Sequence, residues 1–206
     1  MTVSRPRFVL FDLGNVLVDW NPAYLYTRLI PEPDRLRFFL EQVCPMSWHL
    51  LHDQGHGMDE TIPARIDLFP DYAEPIRAWK THWREMFRGE IMGSFALARA
   101  LRDRLVPLYA LTNLPAEKED ETFDLFPGLR AMFDDVIVSG VEHLAKPDPA
   151  IFHLTLVRMG ARPHEVFFTD DNRANIEAAA RLGFQTHLFE GAAGLEAALR
   201  ERQLLD

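Results

Sequence analysis

Short apolar runs without polar interruption recur along the chain, and stretches with helical spacing lie between them. The runs are residues 8–11, 107–111, 136–138 and 166–168. Uninterrupted apolar runs of this length are typical of strands buried on both faces of a parallel sheet. The helical stretches are residues 95–104, 149–159 and 174–182. Strands that alternate with helices predict an α/β fold with right-handed crossovers.

The segment from residue 19 to residue 89 has a different pattern. It carries no strand-like run, but it has several amphipathic stretches rich in aromatic residues, at 24–30, 33–43, 62–69 and 72–87. These stretches predict a helical insert whose Trp and Phe side chains mostly form a core of its own. We therefore expect an α/β core formed by residues 1–18 and 90–206, and a helical cap formed by residues 19–89.

The composition is that of an ordinary globular protein. The 206 residues are 48% hydrophobic, and 22 Lys and Arg stand against 31 Asp and Glu, for a formal net charge of −9. Without a basic block, this charge argues against nucleic acid and anionic membrane partners. No apolar run approaches the roughly 20 residues of a membrane helix, and the first run is too short for a secretory signal. We expect a cytoplasmic protein, either a monomer or a homodimer.

The predicted strands end at polar residues, and in an open parallel sheet these ends meet at the edge where ligands bind. The residues with the strongest chemistry there are Asp12, Thr112, Asn113, Asp170 and Asp171. Several carboxylates at one edge repel one another unless a divalent cation or a lysine neutralises them. Oxygen ligands completed by water suit Mg²⁺.

Lys146 is the lysine best placed to contribute positive charge at that edge. It opens the sequence Lys146-Pro147-Asp148-Pro149, in which Pro147 favours an extended approach and Pro149 suits the first turn of a helix. A lysine held just before a helix can balance carboxylates and bind a phosphate as a point charge.

Four motifs, in this order, resemble those of the haloacid dehalogenase superfamily, in the branch with a helical cap inserted after the first motif. They are Phe-Asp-Leu-Gly-Asn-Val-Leu at 11–17, Leu-Thr-Asn at 111–113, Lys-Pro-Asp-Pro at 146–149, and Asp-Asp-Asn at 170–172 with Asn175. The resemblance covers nearly the whole chain. It implies a three-layer, Rossmann-like core with an inserted cap.

The resemblance also implies roles for the residues at the strand ends. Asp12 would be the nucleophile of a phosphatase, forming an aspartyl-phosphate that water hydrolyses. Thr112 and Asn113 would hydrogen-bond the phosphoryl group, and Lys146 would stabilise the charge on it and on Asp12. Phosphoryl transfer depends mainly on such positioning and charge neutralisation.

Mg²⁺ is the cofactor that the resemblance implies. Its ligands would be Asp12, the main-chain carbonyl of Gly14 and Asp171, with Asp170 binding directly or through water. The implied substrate is a small phosphorylated metabolite, such as a sugar phosphate, over which a cap of about 70 residues would close.

Gly14 departs from the superfamily's phosphatase pattern, which places a second aspartate two residues after the nucleophile. That aspartate protonates the leaving group and activates the water, a contribution of about 10²–10⁴-fold. Asp19 is a candidate substitute. Beside Trp20-Asn21-Pro22, however, Asp19 also fits a linker or helix-cap residue, which is the commoner role.

Two alternatives to the phosphatase remain at this point. Gly14 also fits a 2-haloacid dehalogenase, in which Asp12 would displace halide from carbon without a metal. The carboxylate pair Asp170 and Asp171 argues against it, because that branch typically has Ser and Asn there. The other alternative is a binding or regulatory protein that kept the fold with little turnover.

The segment from Trp48 to His56 carries three histidines, at 49, 52 and 56, and invites a zinc interpretation. Its spacing matches no metal motif, and Gly55 and Gly57 predict a loop with surface polar residues instead. If the segment faces the core, Asp53, Gln54 and Trp48 could contact the leaving group.

Overall fold

The computed structural model describes residues 5–206, and the predicted assignment of residues 1–4 to the core lies outside the described residues. In the described chain the strands are β1 (Phe8–Phe11), β2 (Val18–Trp20), β3 (Phe87–Glu90), β4 (Leu108–Thr112), β5 (Asp135–Val138), β6 (Val166–Asp170) and β7 (Gln185–Leu188). Its α-helices are α1 (Ala23–Leu29), α2 (Pro33–Phe38), α3 (Met46–Asp53), α4 (Met58–Leu68), α5 (Ala73–Thr81), α6 (Met92–Asp103), α7 (Glu119–Leu125), α8 (Ser139–Glu142), α9 (Pro149–Met159), α10 (Arg173–Arg181) and α11 (Ala192–Glu201).

A parallel sheet in the order β5-β4-β1-β6-β7 forms the centre of the described chain. The middle strand β1 pairs along its whole length with β6, with Phe8 opposite Val166 and Phe11 opposite Thr169. Strand β4 pairs with β1 on its other side, also in parallel. The carboxyl ends of β1, β4 and β6 therefore meet at one edge. The predicted α/β fold and its four strands are confirmed.

Helices cover both faces of the sheet, which gives the three predicted layers. On one face, Leu10 and Phe168 belong to an apolar cluster that includes residues of α9 and α10. On the other face, Val9 and Phe167 belong to a second cluster with residues of α6 and α11. Because both faces are covered, successive strand residues are all apolar, and this is the pattern that made the strands recognisable.

Strand β7 was not predicted. Its sequence, Gln-Thr-His-Leu, has three polar residues out of four, and all four residues are only half-buried. It lies at an edge of the sheet next to β6. An edge strand is less enclosed than a central one, so it lacks the apolar run from which the other strands were predicted.

Helix α9 begins and ends where the sequence predicted. The side chain of Asp148 accepts a hydrogen bond from the main-chain N–H of Ala150 at 2.8 Å, and Pro149 occupies the first turn. Gly160 follows the helix in the left-handed conformation that glycine adopts most readily. Lys146 is thereby held a few residues before a fixed helix start.

Helices α1 to α5 lie within the predicted cap, and its two ends pair as a short antiparallel ribbon. In this ribbon Val18 of β2 lies opposite Glu90 of β3, and Trp20 lies opposite Phe87. The ribbon was not predicted, because neither of its strands, Val-Asp-Trp and Phe-Arg-Gly-Glu, is an uninterrupted apolar run. The division into core and cap at residues 19 and 89 stays a prediction.

The segment from Trp48 to His56 differs from the prediction of a surface loop. Most of it belongs to α3, and His49 and His52 are only 3% and 1% exposed. Gly55 has a φ of +91° and lies just after this helix, so it ends the helix but does not turn the whole segment into a loop. The two histidine rings pack among Trp48 and Trp79, which accounts for their burial.

Among residues 5–206, no helix has both the length and the apolar character needed to span a bilayer.

Candidate active site

A cavity of about 710 Å³ opens at the carboxyl edge of the sheet, between the core and the cap helices. Asp12, which follows β1, and Thr112, which ends β4, both line it. Lys146 and Asp171 line it as well, from the loops before α9 and α10. The parallel sheet thus brings together residues that are up to about 160 positions apart in the sequence.

Lys146 binds two of the carboxylates at this edge. Its Nζ lies 2.9 Å from Oδ1 of Asp12 and 2.7 Å from Oδ2 of Asp170, and it donates a further hydrogen bond to the carbonyl of Leu111 at 2.9 Å. Lys146 is 2% exposed and Asp170 is fully buried. A cation bound in this way to two buried carboxylates is fixed in position.

Burial is the main influence on the protonation of these groups. It raises the pKa of Asp12 to about 8, an effect that Lys146 opposes and the charge of Asp170 reinforces. Burial would lower the pKa of Lys146, but the carboxylates of Asp12 and Asp170 raise it above its ordinary value. Burial and the charge of Asp170 also raise the pKa of Asp171. When all three carboxylates are ionised, their charge exceeds what one lysine balances.

Three carboxylates form a cluster suited to a metal ion. One oxygen atom from each of Asp12, Asp170 and Asp171 lies within 4.8 Å of the others. Gly14 lines the same cavity. An all-oxygen donor set of this kind fits a hard divalent cation such as Mg²⁺. The residues predicted to share a metal are thus together, while among the described residues His49, His52 and His56 belong to no such cluster.

Asp170 is held by other residues of the site as well as by Lys146. The side-chain amide of Asn175 donates to both of its oxygens at 3.0 Å, and the main-chain N–H of Asn172 donates to Oδ1 at 2.8 Å. These donors fix the carboxylate's orientation. Asp171, next in the chain, is exposed and lines the cavity, and its side chain is hydrogen-bonded to Asn15.

Asn113 lies at the predicted position but directs its side chain at Lys146. Its amide nitrogen donates to the carbonyl of Lys146 at 3.0 Å, and its amide oxygen accepts from the N–H of Lys146 at 2.9 Å. Both ends of the side chain are therefore engaged. The preceding residue, Thr112, is buried and lines the cavity.

Comparison with known families agrees with this geometry. A family model described as haloacid dehalogenase-like hydrolase matches residues 6–183. The chain belongs to this family. The resemblance given by the four motifs is confirmed, and the assignment to the branch with this type of cap stays a prediction.

Three relatives show what the hydrolase is similar to. The sesquiterpene phosphatase astK of Aspergillus oryzae is 31% identical over 183 residues, which is 86% of each chain. The mouse acyl-CoA dehydrogenase family member 10 is 46% identical over 76 residues, which is 37% of this chain and only 7% of the mouse protein. A haloacid dehalogenase family enzyme of Bacteroides thetaiotaomicron, solved with magnesium and inorganic phosphate, has a TM-score of 0.71 at 19% identity, covering 90% of this chain and 95% of its own. At that identity the likeness shows the fold.

Asp19, the candidate substitute for the missing aspartate of the hydrolase, does not line the cavity. Its neighbours Val18 and Trp20 do, and side chains alternate along a strand, so Asp19 of β2 lies on the opposite face. Its Oδ1 accepts a hydrogen bond from the hydroxyl of Tyr24 at 2.7 Å. The structure therefore places Asp19 in the linker role rather than at the site.

Asp53 was predicted to lie in a surface loop, and to contact the leaving group only if that segment faced the core. It lies at the end of α3, is 5% exposed and lines the cavity together with His49. Burial raises its pKa to about 7, against the opposing charge of Lys146. A helical reading of 48–53 places Trp48, His49, His52 and Asp53 on one face, and this spacing is the signal that could have revealed it.

Proposed function

We propose that the protein is a Mg²⁺-dependent phosphatase that hydrolyses phosphate monoesters of small organic molecules through an aspartyl-phosphate on Asp12. The observation that carries this proposal is the cluster of Asp12, Asp170 and Asp171 with Lys146 bound to two of its members. Three carboxylates at one edge need a further cation to balance their charge. That cation and Lys146 together suit the binding of a phosphoryl group.

The residues of the site divide the work of phosphoryl transfer. Asp12 attacks phosphorus, and water then hydrolyses the aspartyl-phosphate. Lys146 stabilises negative charge on the phosphoryl oxygens and holds Asp12 in place, and the hydroxyl of Thr112 hydrogen-bonds the transferring group. Asn113 contributes by fixing the main chain of Lys146.

Mg²⁺ would be held by Asp12, Asp171 and the carbonyl of Gly14, with Asp170 binding directly or through water. When bound, it neutralises charge on the phosphoryl group and orients it. Two relatives support this assignment: one is named a phosphatase, and the other was solved with magnesium and inorganic phosphate.

The residues of the cavity walls indicate which class of substrate fits. Beyond the carboxylate edge they include Val18, Trp20, Leu50, Trp83 and Phe87. Apolar and aromatic walls favour a leaving group with apolar surface, with polar recognition concentrated on the phosphate. The Aspergillus oryzae relative, which matches 86% of this chain, is named a sesquiterpene phosphatase, so prenyl and aryl monophosphates join the sugar phosphates as candidates. Under this proposal the partner is a small phosphorylated molecule, acted on by a cytoplasmic monomer or homodimer.

The experiment is hydrolysis of 4-nitrophenyl phosphate with and without Mg²⁺, with Asp12→Asn as the matched control. Phosphate release that requires both Mg²⁺ and Asp12 supports the proposal and justifies a panel of sugar, prenyl and aryl monophosphates. Chloride release from 2-chloropropionate without a metal would identify the dehalogenase instead. A phosphoryl-Asp12 that forms but is never hydrolysed would identify the binding or regulatory protein.

A further inference from the structure

Asp53 is a buried carboxylate whose Oδ1 lacks an ordinary hydrogen bond within the described residues. It comes from cap helix α3, yet it lines the same cavity as Asp12 and Lys146. It is 5% exposed, and within residues 5–206 its Oδ1 accepts no hydrogen bond. A buried carboxylate in a purely structural role is normally paired, because an unpaired one is costly. Asp53 therefore has hydrogen-bonding capacity that its structural neighbours leave unused, at the wall of the cavity that holds Asp12 and Lys146.

His49, one turn earlier on α3, lies beside the carboxylate of Asp53. Trp79 donates its indole N–H to Nδ1 of His49 at 3.2 Å, so the proton of the neutral imidazole is on Nε2. Nε2 lies 3.5 Å from Oδ1 of Asp53, longer than an ordinary hydrogen bond. Burial lowers the pKa of His49 to about 3, so His49 does not neutralise Asp53. It can orient the carboxylate without competing strongly for it.

The position of Asp53 relative to the core is fixed by close packing just beyond it. A Cβ added to Gly55 would lie 2.1 Å from Nδ1 of His143 and 3.0 Å from the carbonyl of Gly140. The loop that follows α3 thus contacts α8 and the residue after it directly. Asp53 is in this way supported by the core, although it belongs to the cap segment.

The groups around Asp53 allow it to exchange a proton near neutral pH. His49 from its own helix is neutral, and Lys146 from the core opposes the rise in the pKa that burial causes. The resulting pKa of about 7 is suited to a group that must both donate and accept a proton. Asp19, the other carboxylate considered for this role, is bonded to Tyr24 outside the cavity.

We propose that Asp53 is the general acid and base of the reaction, acting from the cap in place of the aspartate that is absent at position 14. His49 is a positioning residue that orients it. This inference rests on the proposed phosphatase function.

The proton transfers balance over the two steps. As Oδ of Asp12 forms its bond to phosphorus, the bond from phosphorus to the leaving oxygen breaks, and protonated Asp53 gives its proton to that oxygen. Asp53, now a carboxylate, then takes a proton from the attacking water. The water oxygen bonds to phosphorus, the bond between phosphorus and Asp12 breaks, and phosphate leaves with Asp12 ionised and Asp53 protonated again.

The test compares Asp53→Asn with the unaltered protein on a series of monophosphates whose leaving groups range from 4-nitrophenol to simple alkyl alcohols, with Mg²⁺ present. A good leaving group needs little protonation, whereas an alkyl alcohol needs it fully. We expect kcat/KM for alkyl phosphates to fall about 10²–10⁴-fold, and that for 4-nitrophenyl phosphate to fall much less.

A second readout follows the hydrolysis step. In Asp53→Asn the phosphoryl-enzyme forms from 4-nitrophenyl phosphate but lacks its base, so we expect a burst of about one 4-nitrophenolate per protein followed by slow turnover. The pH dependence of kcat/KM near neutrality should also flatten. Asp53→Glu, which keeps the carboxyl group, should retain the shallow dependence on the leaving group.

Controls separate this role from a loss of folding. Asp19→Asn, a carboxylate outside the cavity, should leave the leaving-group dependence unchanged, and thermal unfolding should show that Asp53→Asn is folded. An equal loss of kcat/KM on every substrate without a burst, or no loss at all, would overturn the inference while leaving the phosphatase intact. A lack of Mg²⁺-dependent phosphatase activity in the unaltered protein would overturn both. If Asp53→Asn does not fold, Asp53→Glu is the variant that tests the inference. A leaving-group dependence steeper in Asp53→Glu than in the unaltered protein would contradict the general acid and base role of Asp53.

Discussion

The side-chain amide of Asn113 and the main chain of Lys146 are joined by two hydrogen bonds, of 3.0 and 2.9 Å. They connect the loop after β4 to the loop before α9, across 33 positions of sequence. The side-chain amide thus bonds both the main-chain carbonyl and the main-chain N–H of Lys146. Through this pairing, the ammonium group of Lys146 reaches the carboxylates of Asp12 and Asp170.

Asn113→Ala should therefore act through Lys146. Removing both bonds leaves two main-chain groups of a buried residue unpaired, which we expect to lower the free energy of unfolding by about 1–3 kcal/mol. We also expect kcat to fall more than KM rises, because Lys146 acts on the charge of the transition state. Urea unfolding and Mg²⁺-dependent kinetics measure the two effects. Asn113→Asp, which keeps the acceptor but loses the donor, should be intermediate in stability, and equal stability of all three proteins would contradict this assignment.

Lys146→Met tests the charge balance of the site. Without the lysine, the buried carboxylates of Asp12 and Asp170 lose their bound cation, and breaking a buried ion pair typically costs about 3–5 kcal/mol. We expect a lower Tm at neutral pH, partly recovered at acidic pH, where the carboxylates take up protons. Phosphatase activity should be lost. Thermal unfolding across pH measures this, and a Tm that falls further on acidification than that of the unaltered protein would contradict it.

Gly14→Asp should restore the aspartate that the superfamily's phosphatases carry. A Cβ at Gly14 would meet no heavy atom within 4 Å, so the site has room for a side chain there. We expect kcat for alkyl phosphates to rise, and the same substitution in the Asp53→Asn background to recover much of the lost activity. Gly14→Asn is the matched control, since it has the same shape without a carboxyl group. Equal activities of Gly14→Asp and Gly14→Asn would show that position 14 does not contact the leaving group.

Stability without Mg²⁺ should decrease as the pH rises. Asp53 has its pKa raised from 3.8 to about 7 by burial, so the folded protein binds this proton more tightly than the unfolded chain. The stabilisation from the proton is fully present below pH 3.8 and is lost as the pH rises through about 7, a change on the order of 4 kcal/mol. Asp12, with its pKa raised to about 8, contributes in the same direction.

Thermal unfolding between pH 5 and 9 measures this loss of stability, because the range includes both raised pKa values. Asp53→Asn should show a smaller decrease than the unaltered protein because it lacks one of the two groups. Mg²⁺ should stabilise the protein more at the alkaline end, where the carboxylates that would bind it are ionised. A Tm that increases with pH in the absence of metal would contradict the raised pKa values.

Predictions from the sequence succeeded where local pattern and chemistry agree. The buried runs around Val9 and Phe167 identified the central strands, because a sheet covered on both faces needs apolar residues at every position. The order of Asp12, Lys146 and Asp170 along these elements was enough to place them at one edge, since parallel strands align their carboxyl ends. Edge strand β7 was not predicted, because its half-buried residues do not form an apolar run.

The sequence by itself thus determined the fold and the carboxylates with their lysine, since these follow from the buried apolar strands and the polar residues at their ends. It also indicated the family, through the resemblance of its four motifs. Only the tertiary structure decided which carboxylate outside these motifs can serve the reaction. Asp19 and Asp53 are both acidic residues of the predicted cap that lie outside the four motifs. Strand alternation directs Asp19 towards Tyr24, whereas the packing of α3 leaves Asp53 buried at the cavity, with no hydrogen bond to its Oδ1 from residues 5–206. The direction of a side chain and its distance from water are set by contacts between distant segments, which local pattern does not encode.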